Sequence, residues 1–324
     1  MELSVVIPLM NEQESVDELI NELSGVLQTL NKEYEILLVD DGSTDKTWQC
    51  LVDISKRVPC LELIRFRRNF GQTAAMAAGF QHAQGEIIIA MDGDLQNDPA
   101  SIPDLLEVMD EDVDVVSGWR KDRQDTIDRR LPSMLANRLI SKITGVSLHD
   151  YGCSLKAYRK DVLDNVRLYG EMHRFIPALA SWAGGHVKEV VVNHRARKYG
   201  EAKYGIGRTI RVILDLITVK FLIHYSKGPM QLFGKIGFLF GVIGVLFFAV
   251  MLGDYWFRDY PPGSNHLFKR PAWVITPFML ILFSVQFISM GLLAEIQIRT
   301  YHESQDKRTY VIRDRVSSTA SGAD

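Results

Sequence analysis

Residues 87–96 read Ile87-Ile88-Ile89-Ala90-Met91-Asp92-Gly93-Asp94-Leu95-Gln96, an apolar run that stops at two carboxylates separated by one small residue. A short β-branched run closed by turn residues reads as a strand, and one without polar alternation reads as a strand covered on both faces. Working outward, Leu3–Pro8, Glu35–Asp40, Leu61–Phe66, Glu86–Met91 and Val113–Ser117 read as strands, while Val16–Leu30, Lys46–Lys56, Thr73–Gln84 and Ile102–Met109 read as helices. This alternation predicts an α/β fold with a doubly wound, mostly parallel sheet, whose ligands bind beyond the carboxyl ends of the strands. Asn11, Asp40, Asp41 and Asp92 each follow a strand directly and therefore share one rim.

The acids at that rim carry the chemistry. Two carboxylates crowded at a strand end repel each other, and a site that keeps both ionised holds a hard divalent cation, Mg2+ or Mn2+, able to bridge them to a diphosphate. An isolated D-x-D also reads as an ordinary turn, because Asp and Gly are common turn residues. Context separates the two readings. Asp40-Asp41-Gly42-Ser43-Thr44-Asp45 ends a second strand, with Ser43 or Thr44 placed to cap the next helix. Pro8-Leu9-Met10-Asn11-Glu12 ends a third. Acids at three strand ends of one sheet edge point to a nucleotide-plus-metal pocket. No G-x-G-x-x-G follows the first strand and no G-K-[ST] occurs, which argues against dinucleotide-dependent and P-loop enzymes.

The C-terminal part has another character. Ile236 to Gly253 is wholly apolar or glycine, and at 1.5 Å per residue it spans roughly 27 Å, near the hydrocarbon thickness of a bilayer. Ala272 to Ala294 is a second apolar run, interrupted only by Thr276, Pro277, Ser284, Gln286 and Ser289, so two transmembrane spans are expected. Ahead of them, in Gly205 to Lys227, Ile206, Ile210, Ile213, Ile217, Phe221 and Tyr225 line one helical face and Arg208, Arg211, Lys220 and Lys227 supply cations; this predicts a helix in the headgroup plane. A basic helical stretch, Arg120 to Gly145, carries Leu131, Leu135 and Leu139 on one face and, taken alone, reads as a solvated surface helix. The first residues show neither a basic n-region nor a cleavage site. Lys220, Lys227, Lys235, Arg299, Lys307 and Arg308 flank the spans, against Arg258, Lys269 and Arg270 in the connecting loop. The expected location is the inner (cytoplasmic) membrane, with the first domain and both termini cytoplasmic. The expected division is 1–204 catalytic, 205–228 juxtamembrane helix, 229–298 hairpin with spans 236–253 and 272–294, and 299–324 C-terminal arm. Cys50, Cys60 and Cys153, widely spaced, fit reduced thiols, and a net charge of −3 gives no case for nucleic acid.

The motifs V-V-I-P-L-M-N-E, V-D-D-G-S-T-D, R-N-F-G-Q, A-A-G-F, M-D-G-D-L-Q-N-D-P and Y-G-E-A-K-Y occur in that order. In combination they resemble the dolichyl- and polyprenyl-phosphate glycosyltransferases, a branch of the inverting nucleotide-sugar glycosyltransferases with a glycosyltransferase A type fold. Arg123–Asp125, Asp150–Cys153, Ala157–Arg159 and Phe175–Pro177 make the chain similar to bacterial undecaprenyl-phosphate 4-deoxy-4-formamido-L-arabinose transferases; undecaprenyl-phosphate glucosyltransferases share most of the rest.

The resemblance implies transfer of a sugar from a nucleoside diphosphate, a UDP-sugar in the bacterial branch, to polyprenyl phosphate, with the product serving envelope glycans such as lipopolysaccharide. It assigns Pro8, Glu12 and Asp41 to the nucleoside pocket, and Asp92, Asp94 and Gln96 to the metal and diphosphate. Arg197 and Lys203 would close over the donor phosphates. Arg120 and an arginine of the pair Arg129 and Arg130 would face the acceptor phosphate, and Asp150 would lie close to the reacting sugar. Because a phosphate acceptor is already an oxyanion, Asp150 reads as an orienting residue more readily than as a base. Met10 replaces the branch's usual aromatic, and Gly93 its usual alanine. The C-terminal arm, with Tyr310-Val311-Ile312 as a short strand, would pair between subunits of a homo-oligomer, a tetramer in relatives. A processive polysaccharide synthase would carry Q-x-x-R-W and further spans, neither of which is present. A silent sugar-nucleotide scaffold would have no physical need for the paired charges of Asp92 and Asp94.

Overall fold

The computed structural model describes residues 1–121, 137–138, 140–164, 166, 168, 172–182, 184–196, 198, 216, 220–221, 229–257, 271–304 and 312–317. Two units are present: 1–220 with 308–324, and 221–307.

In the first unit the strands are β1 (Leu3–Leu9), β2 (Tyr34–Asp40), β3 (Leu61–Phe66), β4 (Ile87–Ala90), β5 (Val115–Trp119), β6 (Lys156–Arg159), β7 (Val187–Val191) and β8 (Ile312–Ser317). The helices are α1 (Val16–Thr29), α2 (Thr47–Ser55), α3 (Gln72–His82), α4 (Ile102–Val108), α5 (Lys160–Asp164) and α6 (Ile176–Trp182). The sheet order is β7-β5-β6-β4-β1-β2-β3-β8. β4, β1, β2 and β3 are mutually parallel; β6 runs antiparallel to β4 and β5, and β8 antiparallel to β3. The doubly wound, mostly parallel expectation holds.

The apolar character of β1 follows from its place. Leu3, Val5, Val6 and Ile7 are fully buried because helices cover both faces of this central strand. One layer packs Leu19, Ile20, Leu23 and Leu27 of α1 beneath Val5 and Ile7. On the other face α3 is built from Thr73, Ala74, Ala75, Ala78 and Gly79, and its smallest residue lies directly against Val6. Winding β1-β2-β3 to one side and β4 to the other puts the change of direction between β1 and β4, where the crevice beyond the strand ends opens. Asp92 and Asp94 follow β4 at that point.

Several boundaries moved. β5 runs two residues beyond the expected Ser117 because its pairing with β7 continues to Trp119↔Val191, which puts Arg120 directly at the strand end. Of the basic stretch, 137–138 and 140–144 are helical, and Gly145, with φ of 78°, closes that helix by donating its N–H to Ser141 O at 2.9 Å. The C-terminal arm forms β8, which pairs with β3 of its own chain from Glu62↔Ser317 to Phe66↔Ile312. The intramolecular partner supplies the expected strand's hydrogen bonds, since β3 is otherwise an edge with a row of unpaired groups. Tyr310 and Val311 lie outside the described residues.

Gly42 shows the tightest backbone constraint. Its φ is 70°, and a Cβ there would run into the Arg68 backbone and approach Asn69 N to 2.7 Å. G42A combines a left-handed penalty with backbone overlap and is expected to destabilise the domain by at least about 2 kcal/mol. Chemical denaturation of the two proteins checks this; an unchanged midpoint would show that the loop relaxes freely.

The second unit contains α7 (Pro229–Phe257) and α8 (Pro271–Ser304), which pack along each other. Gly237, Gly241 and Gly244 face Ser284, Ile288 and Ile281 at separations that leave no room for a Cβ, while Phe240 stacks on Phe287 at 5.7 Å. Small residues at an apolar helix interface allow such close approach. The outward surface is apolar, with Phe238 71% and Trp256 77% exposed. Pro229–Trp256 and Pro271–Gln297 are long and apolar enough to cross a membrane. Of the juxtamembrane stretch only Leu216, Lys220 and Phe221 are among the described residues.

Candidate active site

The first strand ends in a turn held by side chains from the second. Asn11, at φ 58°, donates its N–H to Ser43 Oγ at 2.9 Å and accepts the Thr44 N–H on Oδ1 at 2.8 Å. Glu12 donates its N–H to Thr47 Oγ1 at 2.8 Å and accepts from Ser15 Oγ on Oε2 at 2.6 Å. The expected capping of α2 by Ser43 or Thr44 is corrected here: both are committed to Asn11, and Asp45 Oδ1 takes the Thr47 N–H at 3.0 Å.

The adjacent acids at the end of β2 divide their work. Asp40, fully buried, accepts the Ser43 N–H at 2.9 Å, and its other oxygen lies 3.3 Å from Arg65 Nε. Asp41 donates its N–H to Leu9 O at 2.9 Å, while its two carboxylate oxygens accept the N–H groups of Phe70 and Gly71 at 2.7 and 2.9 Å. Burial raises the Asp41 pKa, and those two N–H groups act against the rise. Asp41 thus braces the turn that opens α3.

The turn supported by Asp41 presents Gln72, the first residue of α3. Its Nε2 donates to Asp92 Oδ1 at 2.7 Å. Sequence reasoning quoted R-N-F-G-Q without giving the glutamine a task, because 20 residues separate it from Asp92 and only the winding of α3 beside β4 joins them. The loop after Asp92 is tight. Leu95 has φ 61°, and the Gln96 N–H donates to Asp94 Oδ1 at 3.2 Å. Gly93 is pressed onto the end of β1, where a Cβ would meet the Leu9 side chain and lie 3.5 Å from Pro8 O. That contact explains glycine in place of alanine between the two acids.

Asp92, Asp94 and Gln96 are each half-buried at the crevice. Among the described residues no group of three or more His, Cys, Asp or Glu side chains is arranged to hold a metal. Two hard carboxylates fit a dication of the Mg2+ or Mn2+ kind, which keeps several positions for waters and substrate phosphate oxygens rather than an all-protein cage.

Beside the acids stands a buried ion pair. Arg120 Nε and Nη2 donate to Asp150 Oδ2 and Oδ1 at 2.7 and 3.0 Å, with the side chains 12% and 7% exposed. Burial works against the guanidinium charge, but the hydrogen bonds and charge of Asp150 outweigh it, and Asp92 adds to the same effect, so the Arg120 pKa is raised. Asp92 therefore lies within electrostatic range of the Arg120–Asp150 pair. The segment after Asp150 is held from below by Lys156, which donates to the carbonyls of Tyr151 and Cys153. Burial lowers the Lys156 pKa to about 8 and raises that of Cys153 to about 11, which leaves Cys153 an inert buried thiol. Neither residue was singled out as part of a site in the sequence.

Arg195, also unforeseen, donates its N–H to Gln96 O at 2.9 Å and its guanidinium to Glu22 and Asp98 at 2.7 and 2.8 Å. It lines a groove of about 470 Å³ between α1 and the 98–103 segment, a groove that contains neither Asp92 nor Asp94 and is separate from the acid crevice. Arg129, Arg130, Arg197 and Lys203 lie outside the described residues.

Residues 4–167 match the family model described as Glycosyl transferase family 2. A dodecaprenyl-phosphate galacturonate synthase of Rhizobium johnstonii is 43% identical over 324 residues, covering 97% of this chain and 92% of its own length. The chain belongs to glycosyl transferase family 2. An undecaprenyl-phosphate 4-deoxy-4-formamido-L-arabinose transferase of Enterobacter sp. is 38% identical, covering 97% of this glycosyltransferase and 94% of its own length. The sheet is shared with glucosyl-3-phosphoglycerate synthase from Mycobacterium tuberculosis, solved in complex with Mn2+ and uridine-diphosphate-glucose. The TM-score is 0.54 at 16% identity, over 68% of this chain and 78% of that one. At that identity the likeness concerns the fold of the glycosyltransferase alone.

Proposed function

We propose that this glycosyltransferase moves a sugar, with inversion, from a nucleoside diphosphate, UDP in this reading, to the phosphate of a polyprenyl lipid at a membrane. The observation that carries the proposal is Asp92 and Asp94 following β4 at the β1/β4 crevice, with the buried Arg120–Asp150 pair within electrostatic range of Asp92. The polyprenyl-phosphate substrates in the names of the full-length relatives support it.

In this scheme Pro8, Glu12 and Asp41 flank the nucleoside, and Asp92, Asp94 and Gln96 hold a divalent ion and the donor diphosphate. The ion, Mg2+ or Mn2+, supplies Lewis-acid stabilisation of the charge that builds on the leaving diphosphate. Arg197 and Lys203 add positive charge at the same place. Arg120, with Arg129 or Arg130, holds the acceptor phosphate, which is already an oxyanion and needs position rather than deprotonation. Asp150 fixes the direction of Arg120. The two spans and the stretch 205–228 anchor the enzyme at the membrane in this reading, with the catalytic domain and both termini cytoplasmic and the inner membrane as location. A homo-oligomer, a tetramer by analogy with the branch, and a role in lipopolysaccharide or other envelope glycans complete the reading.

The test is transfer of labelled sugar from a panel of nucleotide donors into an organic-extractable product. Label in lipid is expected, dependent on polyprenyl phosphate and on Mg2+ or Mn2+. Label in insoluble polymer would establish a synthase, and no transfer with any donor would leave only a scaffold.

A further inference from the structure

Glu189 lies on β7, in a stretch where no motif was recognised, and its register partner on β5 is Ser117. Its side chain is 12% exposed, and its carboxylate oxygens turn toward the 149–150 segment. Oε1 and Oε2 accept the His149 N–H at 2.9 and 3.1 Å, Oε1 accepts the Asp150 N–H at 3.1 Å, and Oε2 takes His149 Nδ1 at 2.8 Å. A carboxylate that captures two consecutive backbone N–H groups fixes the peptide between them and hence the direction in which the next side chain leaves the backbone. That side chain is the Asp150 carboxylate, which grips both Arg120 nitrogens and also accepts the Gly152 N–H at 3.0 Å.

The other half of the pair is fixed by the same device. The His149 ring, with its Nδ1 on Glu189, stacks on Trp119 with centroids 4.2 Å apart and planes 16° apart, and Trp119 immediately precedes Arg120. Both ion-pair partners therefore have their neighbouring residue tied to one carboxylate. Charge-assisted bonds to N–H groups are about twice as strong as neutral ones, and an amide in this place would offer a single acceptor oxygen for the same donors. Against an ordinary surface glutamate, which would be solvated, this one is turned inward and loses rotamer freedom to hold a loop.

We propose that Glu189 is a positioning residue that sets the Asp150–Arg120 pair for the acceptor phosphate. This inference rests on the proposed transfer to polyprenyl phosphate. Glu189 touches neither substrate in that scheme; it acts through the 149–150 peptide and the His149 ring.

The experiment uses the full-length protein in detergent micelles or nanodiscs, with E189Q, E189A and H149A compared with wild type in the lipid-extraction assay. E189A is expected to lose about 10²-fold in turnover with the acceptor, the scale of a misplacement of about 1 Å, with the donor KM unchanged. E189Q, isosteric and able to keep one N–H partner, is expected to recover part of that loss. H149A leaves the backbone N–H bonds to Glu189 intact and is expected to lose less than E189A. Wild-type turnover in E189A or E189Q would overturn the inference, as would equal losses in donor and acceptor KM. An H149A loss equal to that of E189A would transfer the role to the ring stack. A wild-type protein that makes no lipid product would instead defeat the functional reading itself.

Discussion

Exchanging Asp92 or Asp94 for asparagine is expected to leave a folded chain that no longer transfers sugar to lipid. Each amide keeps an acceptor oxygen, so the Gln72 Nε2 bond to Asp92 and the Gln96 N–H bond to Asp94 survive in shape. What disappears is one of two charges that a dication needs. Loss of one preorganised electrostatic stabiliser costs on the order of 10²–10³ in turnover, and here the ion and the donor diphosphate lose it together, so an effect at or beyond the upper figure is expected. The measurement pairs the transfer assay with melting curves recorded with and without Mn2+ and UDP. Wild type should be stabilised by the two together; the variants should melt normally and show no such shift. Near-normal transfer by either variant would remove the metal assignment.

The second large effect concerns Arg120 and Asp150. With side chains 12% and 7% exposed, each depends on the other, and removing one partner of a buried pair costs about 3–5 kcal/mol because a lone charge stays behind. D150A should therefore lower stability sharply and abolish transfer, while R120A should weaken use of the lipid acceptor far more than binding of the donor. The double variant R120M/D150L separates structure from chemistry. Apolar replacements of similar volume are often neutral or stabilising at such pairs, so its melting temperature should return toward wild type. Its transfer activity should not. A double variant that still makes lipid product would show that the pair is structural, and equal losses of donor and acceptor binding in R120A would place the acceptor elsewhere.

Much of the fold can be read in one dimension because its signals are local. The β-branched runs ending at Leu9, Asp40, Phe66 and Ala90, and the amphipathic pattern of α1, name their own structure within a turn or two of where it is found. The boundaries that moved did so for non-local reasons: β5 shifts two residues toward Trp119 because β7 pairs with it as far as Val191, and β8 forms on β3 from the far end of the chain. Ser43 and Thr44 do not cap α2 for the same reason, since Asn11 in the turn after β1 competes for them.

The site divides in the same way. Asp92 and Asp94 are neighbours through the chain, so their shared charge is written in three consecutive residues. Gln72 reaches Asp92, Arg120 reaches Asp150 and Glu189 reaches the 149–150 peptide only because elements from distant parts of the chain lie side by side. Local patterning alone dictates strands β1 to β5, the acids that follow them and the two apolar helices, because hydrophobic period and local charge act over a few residues; β6 and β7, which carry no such signal, become strands only by pairing with β4 and β5. Which side chains face one another across that rim was decided only by the tertiary structure, because the direction of a buried carboxylate depends on donors held in place by the packing of other elements.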